Sequence, residues 1–175
     1  VIVRENTEGF YADRSMALGS GEFMPTEDVA LAVRKITREG SRRIAEEACR
    51  IAASRSGRLA VVHKANVLSM TDGLFRDSAF AVAEEHGGLK VEEVLVDAMA
   101  ALLVRTPNAY DVIVTTNMFG DILSDLTAEL SGGLGLGPSI NAGKDHAIAQ
   151  AAHGAAPDIA GRDIANPSAM ILSVA

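Results

Sequence analysis

Between Gly57 and Leu130 the chain repeats one pattern three times: a short apolar run, then a longer segment with helical spacing. RLAVVH, from Arg58, leads into DGLFRDSAFAVAEEHGG, where Leu74, Phe75, Ala79 and Val82 recur at helical intervals before Gly87 and Gly88 close the segment. VEEVLV leads into DAMAALLVRTP, which stops at Pro107, and DVIVTT leads into NMFGDILSDLTAEL, which stops at Gly132. Apolar runs of this length read as buried strands, and the 3.6-residue period that follows each reads as a helix. Strand and helix in strict alternation predict a stacked α/β unit.

The flanks are less regular. VALAVRKIT alternates at Val29, Leu31 and Val33 and is expected to be a strand; SRRIAEEACRIAAS follows as a helix with Ile44, Ala48 and Ile51 on one face. MALGSGEFMP has the glycine and proline of an exposed loop or hairpin. After Leu130 the texture changes to SGGLGLGPSINAG, a Gly-rich joint. The expected boundary falls there: residues 1–131 as one α/β domain, residues 132–175 as part of another, mainly loop with one short Ala-rich segment. The chain opens in what reads as the tail of a strand and stops inside a helical pattern, so a longer parent protein is expected.

Composition narrows the function. The 175 residues, 48% of them hydrophobic, suffice for a sizeable core. A formal charge of -7 argues against binding a nucleic-acid backbone and against a polybasic contact with acidic lipid. A single cysteine, Cys49, allows no internal disulfide and fits a reducing, cytoplasmic compartment. No apolar run approaches the roughly 18 residues of a membrane helix.

The polar residues stand where α/β units keep their chemistry, just past the carboxyl ends of strands. RLAVVH delivers Lys64, VEEVLV delivers Asp97, and DVIVTT delivers Asn117, with Asp121 and Asp125 one and two turns on. Singly, each has a plain explanation: a solvated lysine, an N-capping aspartate, a wet helix face. Asp121 and Asp125, four residues apart, nevertheless project from one face of a helix and repel each other. If the three strands are parallel neighbours, an ammonium and three carboxylates converge on one rim. Carboxylates without cysteine or histidine are hard oxygen ligands suited to Mg²⁺ or Mn²⁺. SGGLGLGP follows a helix instead of a strand, so it lacks the context of the dinucleotide fingerprint and reads as a connection. HGAAPDIAGRDIANP offers His153, Asp158, Asn166 and free backbone amides to a ligand, and equally suits an ordinary surface loop.

Five segments in order, RENTEGFY, HKANVL, VDAMA, NMFGDILSD and HGAAPDIAGRDIANP, resemble the isocitrate/isopropylmalate dehydrogenase family of metal-dependent, decarboxylating dehydrogenases. The resemblance implies an α/β fold distinct from the usual dinucleotide-binding one. It implies Arg4 as a clamp on a substrate carboxylate, Tyr11 and Lys64 as the proton-handling pair, and Asp97, Asp121 and Asp125 as ligands of Mg²⁺ or Mn²⁺. His153, Asp158, Ile159, Ala165 and Asn166 match the part that binds the adenosine half of NAD. A homodimer is implied, with Lys64 and Asp97 serving the neighbouring subunit and GSGEFMP forming part of an intersubunit clasp. RENTEG resembles isocitrate, homoisocitrate, tartrate and malate enzymes more than the RELTGG of many isopropylmalate enzymes. Gln150 departs from the pattern, standing where the family often has Glu. A non-catalytic regulatory subunit of the same family is the competing reading, set against the presence of Arg4, Tyr11, Lys64, Asp97, Asp121 and Asp125 together.

Overall fold

The computed structural model describes residues 1–175, the side chains of Arg14 and Ser15 excepted. It divides into two compact units, Val1–Leu123 and Ser124–Ala175. The first unit is built on a four-stranded, wholly parallel sheet of β1 (Ile2–Arg4), β4 (Arg58–His63), β5 (Lys90–Leu95) and β6 (Val112–Thr115), in the order β1-β6-β4-β5. A separate hairpin pairs β2 (Glu22–Thr26) with β3 (Val29–Ala32). The helices of this unit are α1 (Arg38–Ala53), α2 (Thr71–His86), α3 (Val96–Arg105) and the first half of α4 (Asn117–Leu130).

Sequence and structure agree on the alternation. β4 is the central strand, buried from Leu59 to His63, because its neighbours flank it on both edges. Leu59 and Val61 point to the same side as Val112 and Val114 of β6, and there α1 and α2 cover them. The face of α1 that packs deepest is Ala45, Ala48, Cys49 and Ala52, at i, i+3, i+4 and i+7. Ile44 and Ile51 lie at its flanks, only partly buried. Small residues at the centre of that face let α1 come close to α2, whose Phe75, Ala79, Val82 and Ala83 fill the same core. Thr37 caps α1 by accepting the Gly40 N–H at 3.1 Å, and Gly87, at φ +70°, ends α2 in a conformation that a Cβ disfavours.

Two expectations need correcting. The strand read over VALAVRKIT ends at Ala32, and α1 starts at Arg38, three residues before the predicted start. Arg34 turns inward as a buried cation, which no alternation of apolar residues announces. After Leu130 the chain forms a second antiparallel hairpin, β7 (Pro138–Ala142) with β8 (Ala147–Ala151), where mainly loop was expected. Its strands, PSINA and AIAQA, are short, rich in small residues and largely exposed, so they carry almost no β signal. Within this second unit α5 (Ser168–Val174) packs on both strands, and Ser173 Oγ accepts the Ser139 N–H at 3.0 Å.

Candidate active site at the strand ends

The loop after β1 is held by two buried carboxylates. Glu5 accepts the Thr7 amide at 2.9 Å, the Thr7 hydroxyl at 2.6 Å and the Glu8 amide at 2.8 Å, and pairs with Arg43 at 3.3 Å. Glu8 accepts the Thr37 amide at 2.8 Å and the Thr37 hydroxyl at 2.5 Å, which sets its charge at the amino end of α1, where the helix dipole favours it. A Cβ on Gly40 would lie 2.9 Å from Glu8 Oε2, so only glycine lets that carboxylate in so close. Gly9 and Lys35 exchange backbone hydrogen bonds at 2.8 and 3.0 Å. Arg4 and Tyr11, at the two ends of this loop, are thereby fixed in position.

Arg4 reaches across the carboxyl end of β6. Its Nε and Nη2 donate to Asn117 Oδ1 at 2.9 and 2.6 Å, and its Nη1 forms an ion pair with Asp121. Asn117 is buried at the start of α4 and donates back to the Glu8 carbonyl at 3.2 Å. Tyr11 places its hydroxyl 3.5 Å from the second oxygen of Asp121, the outer limit of a hydrogen bond. The aliphatic stem of Arg4 lies on Gly120: a Cβ there would come within 2.6 Å of Arg4 Cγ and 2.7 Å of its Cβ. The positive charge that the Asp121/Asp125 spacing calls for is, on the Asp121 side, Arg4.

The second group stands at the ends of β4 and β5. Lys64 Nζ donates to Asp97 Oδ1 at 2.5 Å, and that hydrogen bond holds the Asp97 carboxyl below the usual carboxylate range. The Lys64 amide donates to Asp72 Oδ2 at 2.6 Å, and the Ala65 amide to His63 Nδ1 at 3.0 Å, so the turn carrying the ammonium is pinned from both sides. His63 is fully buried, and burial keeps its pKa below the ordinary imidazole value. Its Nε2 lies 3.1 Å from Glu93 Oε1 but lacks hydrogen-bond alignment.

The expected convergence of three carboxylates within one chain is not seen: among the described residues no three Asp, Glu, His or Cys side chains come together to hold a metal. The sheet order explains it. β5 and β6 lie on opposite sides of β4, so Asp97 and Asp121 are separated by two strand spacings, roughly 10 Å. The donor chemistry of α4 still fits a hard divalent cation, since Asp121 is about half exposed and Asp125 is exposed four residues further along the same helix.

In the second unit, His153, Asp158, Ala165 and Asn166 are exposed and Ile159 is half-buried. They share one irregular segment whose 3-10 turn spans Pro157–Ile159. His153 Nδ1 lies 2.8 Å from the Gly154 carbonyl, and Asn166 Oδ1 accepts the Ser168 amide at 2.9 Å. Ala156 and Asp163 both sit in the left-handed region, at φ +45° and +53°. For Ala156 that conformation is strained, a feature common in loops shaped for a ligand.

Sequence reading passed over Glu5, Glu8, Arg34, Asp72 and Gly120 as parts of this site. A signal was present for the acids: RENTEG places two glutamates three residues apart in a segment with no apolar residue, so neither has an apolar period to belong to.

A parallel α/β sheet with Arg–Asp and Lys–Asp pairs at its strand ends places charged groups where α/β folds commonly bind small molecules. The sequence profile described as isocitrate/isopropylmalate dehydrogenase matches residues 1–175, and the chain belongs to that family. It is 46% identical over 178 residues to the 3-isopropylmalate/3-methylmalate dehydrogenase of Methanocaldococcus jannaschii, covering 99% of this chain and 51% of that one. It is 49% identical over 176 residues to the isocitrate/homoisocitrate dehydrogenase of Thermus thermophilus, covering 100% and 50%. Among solved structures, isocitrate dehydrogenase from Methylococcus capsulatus superimposes with a TM-score of 0.88 at 44% identity, over 99% of this chain and 50% of that one. The chain thus spans about half the length of the curated relatives it matches. Among the described residues, no helix is long and apolar enough to cross a membrane.

Proposed function

We propose that this segment carries the metal-holding and proton-transferring face of a cytoplasmic, NAD-dependent dehydrogenase that oxidises and decarboxylates a 3-carboxylated 2-hydroxy acid. RENTEG favours an isocitrate, homoisocitrate, tartrate or malate type over 3-isopropylmalate. The observation that carries the reading is the cluster of Arg4, Tyr11, Asn117 and Asp121 at the same sheet edge as the Lys64–Asp97 pair.

Charge balance gives the cluster its logic. Arg4 pairs with Asp121; Asp121, Asp125 and Asp97 would hold Mg²⁺ or Mn²⁺, which would leave the guanidinium to grip a substrate carboxylate bidentately. When bound, the cation supplies Lewis-acid stabilisation of negative charge on the substrate oxygen. Lys64 would take the hydroxyl proton, and NAD, when bound, would accept the hydride. Loss of CO₂ leaves an electron pair on the adjoining carbon, and Tyr11 delivers a proton there.

The separation of Asp97 from Asp121 suits a homodimer in which Lys64 and Asp97 serve the partner's site. The β2–β3 hairpin, where Phe23 and Met24 are more than half exposed, is its clasp. Residues 1–131 are the dimer-forming part and residues 132–175 belong to the coenzyme domain. There His153, Asp158, Ile159, Ala165 and Asn166 face the adenosine half, and Asp158 selects NAD.

The test is a panel on the full-length protein: isocitrate, homoisocitrate, tartrate, malate and 3-isopropylmalate, each with NAD or NADP, under Mg²⁺, Mn²⁺ or EDTA. NAD reduction with CO₂ release on one of the first four, abolished by EDTA, is expected. Full turnover in EDTA contradicts the metal assignment, a preference for 3-isopropylmalate contradicts the substrate lean, and no turnover on any acid favours a regulatory subunit.

A further inference from the structure

Among the described residues, the most deeply buried ion pair near the site joins two side chains that have no catalytic or binding role above. Arg34 and Asp72 form a salt bridge with side chains 7% and 0% exposed. Arg34 Nη1 also donates to Thr71 Oγ1 at 2.8 Å and its Nη2 to Thr116 Oγ1 at 2.9 Å. Its guanidinium lies between two rings, 5.6 Å from the centroid of Phe10 and 5.4 Å from that of Phe119. Asp72 uses its other oxygen to accept the Lys64 amide at 2.6 Å.

These contacts bring together three separate pieces of the site. Phe10 precedes Tyr11 in the chain, Thr116 precedes Asn117, and Asp72 fixes the backbone of Lys64. We infer that Arg34 and Asp72 are positioning residues, holding the Tyr11 loop, the head of α4 and the Lys64 turn in one register, so that the half-site around Tyr11 and the half-site around Lys64 that this subunit lends its partner stay fixed relative to each other. The inference rests on the acid–base roles proposed for Tyr11 and Lys64. A cation–π and ion-pair hub is costlier than a hydrophobic plug of the same volume, because both charges lose their hydration, and apolar replacement of such a pair is often neutral for folding. What an apolar plug does not reproduce is the acceptor for the Lys64 amide and the fork reaching Thr71 and Thr116.

The test is the double variant Arg34→Met with Asp72→Leu in the full-length protein, beside Arg34→Lys. Two readouts are taken: amide-hydrogen exchange at Lys64, and kcat with KM. The double variant is expected to fold with a near-native Tm, exchange the Lys64 amide about tenfold faster, and lose about a hundredfold in kcat with little change in KM. Arg34→Lys, which keeps charge but not the fork, should recover only part of the kcat. If the double variant does not fold, Asp72→Asn keeps an acceptor for the Lys64 amide and should retain slow exchange there. Native exchange and native kcat in the double variant overturn the inference. Should the wild-type protein turn over no hydroxy acid, the proposed function fails on its own, and the exchange at Lys64 still decides whether the pair positions that turn.

Discussion

Two stretches of this chain offer polar residues to a ligand, and they are built in opposite ways. At the strand ends of Val1–Leu123, Arg4, Asn117, Lys64 and Asp72 are fixed by ion pairs and hydrogen bonds to residues distant in sequence. In the segment from His153 to Asn166, the hydrogen bonds of His153 and Asn166 reach only residues one or two positions away. The first kind of site is preorganised: its geometry is set by the sheet before any ligand arrives, as acid–base chemistry demands. The second leaves side chains and amides open to a ligand, as adaptable recognition demands.

That difference sorts the expected effects of substitution. The largest is on turnover. Asp121→Asn in the full-length enzyme should reduce kcat/KM on the order of a thousandfold, because it removes a hard ligand and a charge from the site. Tm should barely move, since the side chain is about half exposed. A variant with normal kinetics in Mn²⁺ would remove the strand-end cluster from the chemistry altogether.

Next comes the platform beneath that cluster. Phe75 is 1% exposed at the centre of the α1–α2–sheet core, so Phe75→Ala should cost about 3–5 kcal/mol of stability, measured by urea unfolding. In the open loop, Asp158→Lys with Ile159→Tyr should leave the urea midpoint unchanged while altering the kcat/KM ratio for NAD over NADP by about a hundredfold, since like charges no longer meet at the 2′-phosphate. Equal use of the two coenzymes by the unmodified protein would detach Asp158 from the ribose.

The smallest effect is one of pH. Arg55 and Ser56 hold the Asp111 carboxyl well below its ordinary range. A carboxylate depressed in the folded state adds stability above its unfolded pKa and loses it as pH falls, so the contribution should fade below about pH 4. Asp111→Asn should flatten that acid-side slope in a Tm-against-pH series and leave neutral pH little changed; an unaltered slope would show the pair to be solvated.

The same contrast explains what was legible in the sequence. RLAVVH and DVIVTT announce themselves because a strand buried on both faces must be apolar, and the polar residue that ends the run stands at the rim. Lys64 and Asn117 follow from that rule; VEEVLV lies at the sheet edge with Glu92 and Glu93 exposed, and Asp97 follows from the strand–helix alternation instead. β7 and β8 escaped it, since PSINA and AIAQA lie exposed and have no core to satisfy. Arg34 escaped because a buried cation looks, in sequence, like any surface arginine until its partner Asp72, 38 residues away, is brought beside it. The roles assigned in the loop from His153 came from resemblance, not from chemistry, because the contacts of His153 and Asn166 are to residues one or two positions away and point to no ligand.

The central claim is that the two strand-end groups are halves of one site completed across a dimer. Lys64→Ala and Asp121→Asn versions of the full-length protein, each inactive, should therefore complement when co-refolded. A mixed dimer keeps one site with an intact Asp121 from one subunit and an intact Lys64 from the other. Random association makes half the dimers mixed, so about a quarter of wild-type activity should return. If the mixture stays at the level of its two parents while the dimers demonstrably mix, Lys64 and Asp121 act within the same subunit or not together at all, and the shared-site account is wrong.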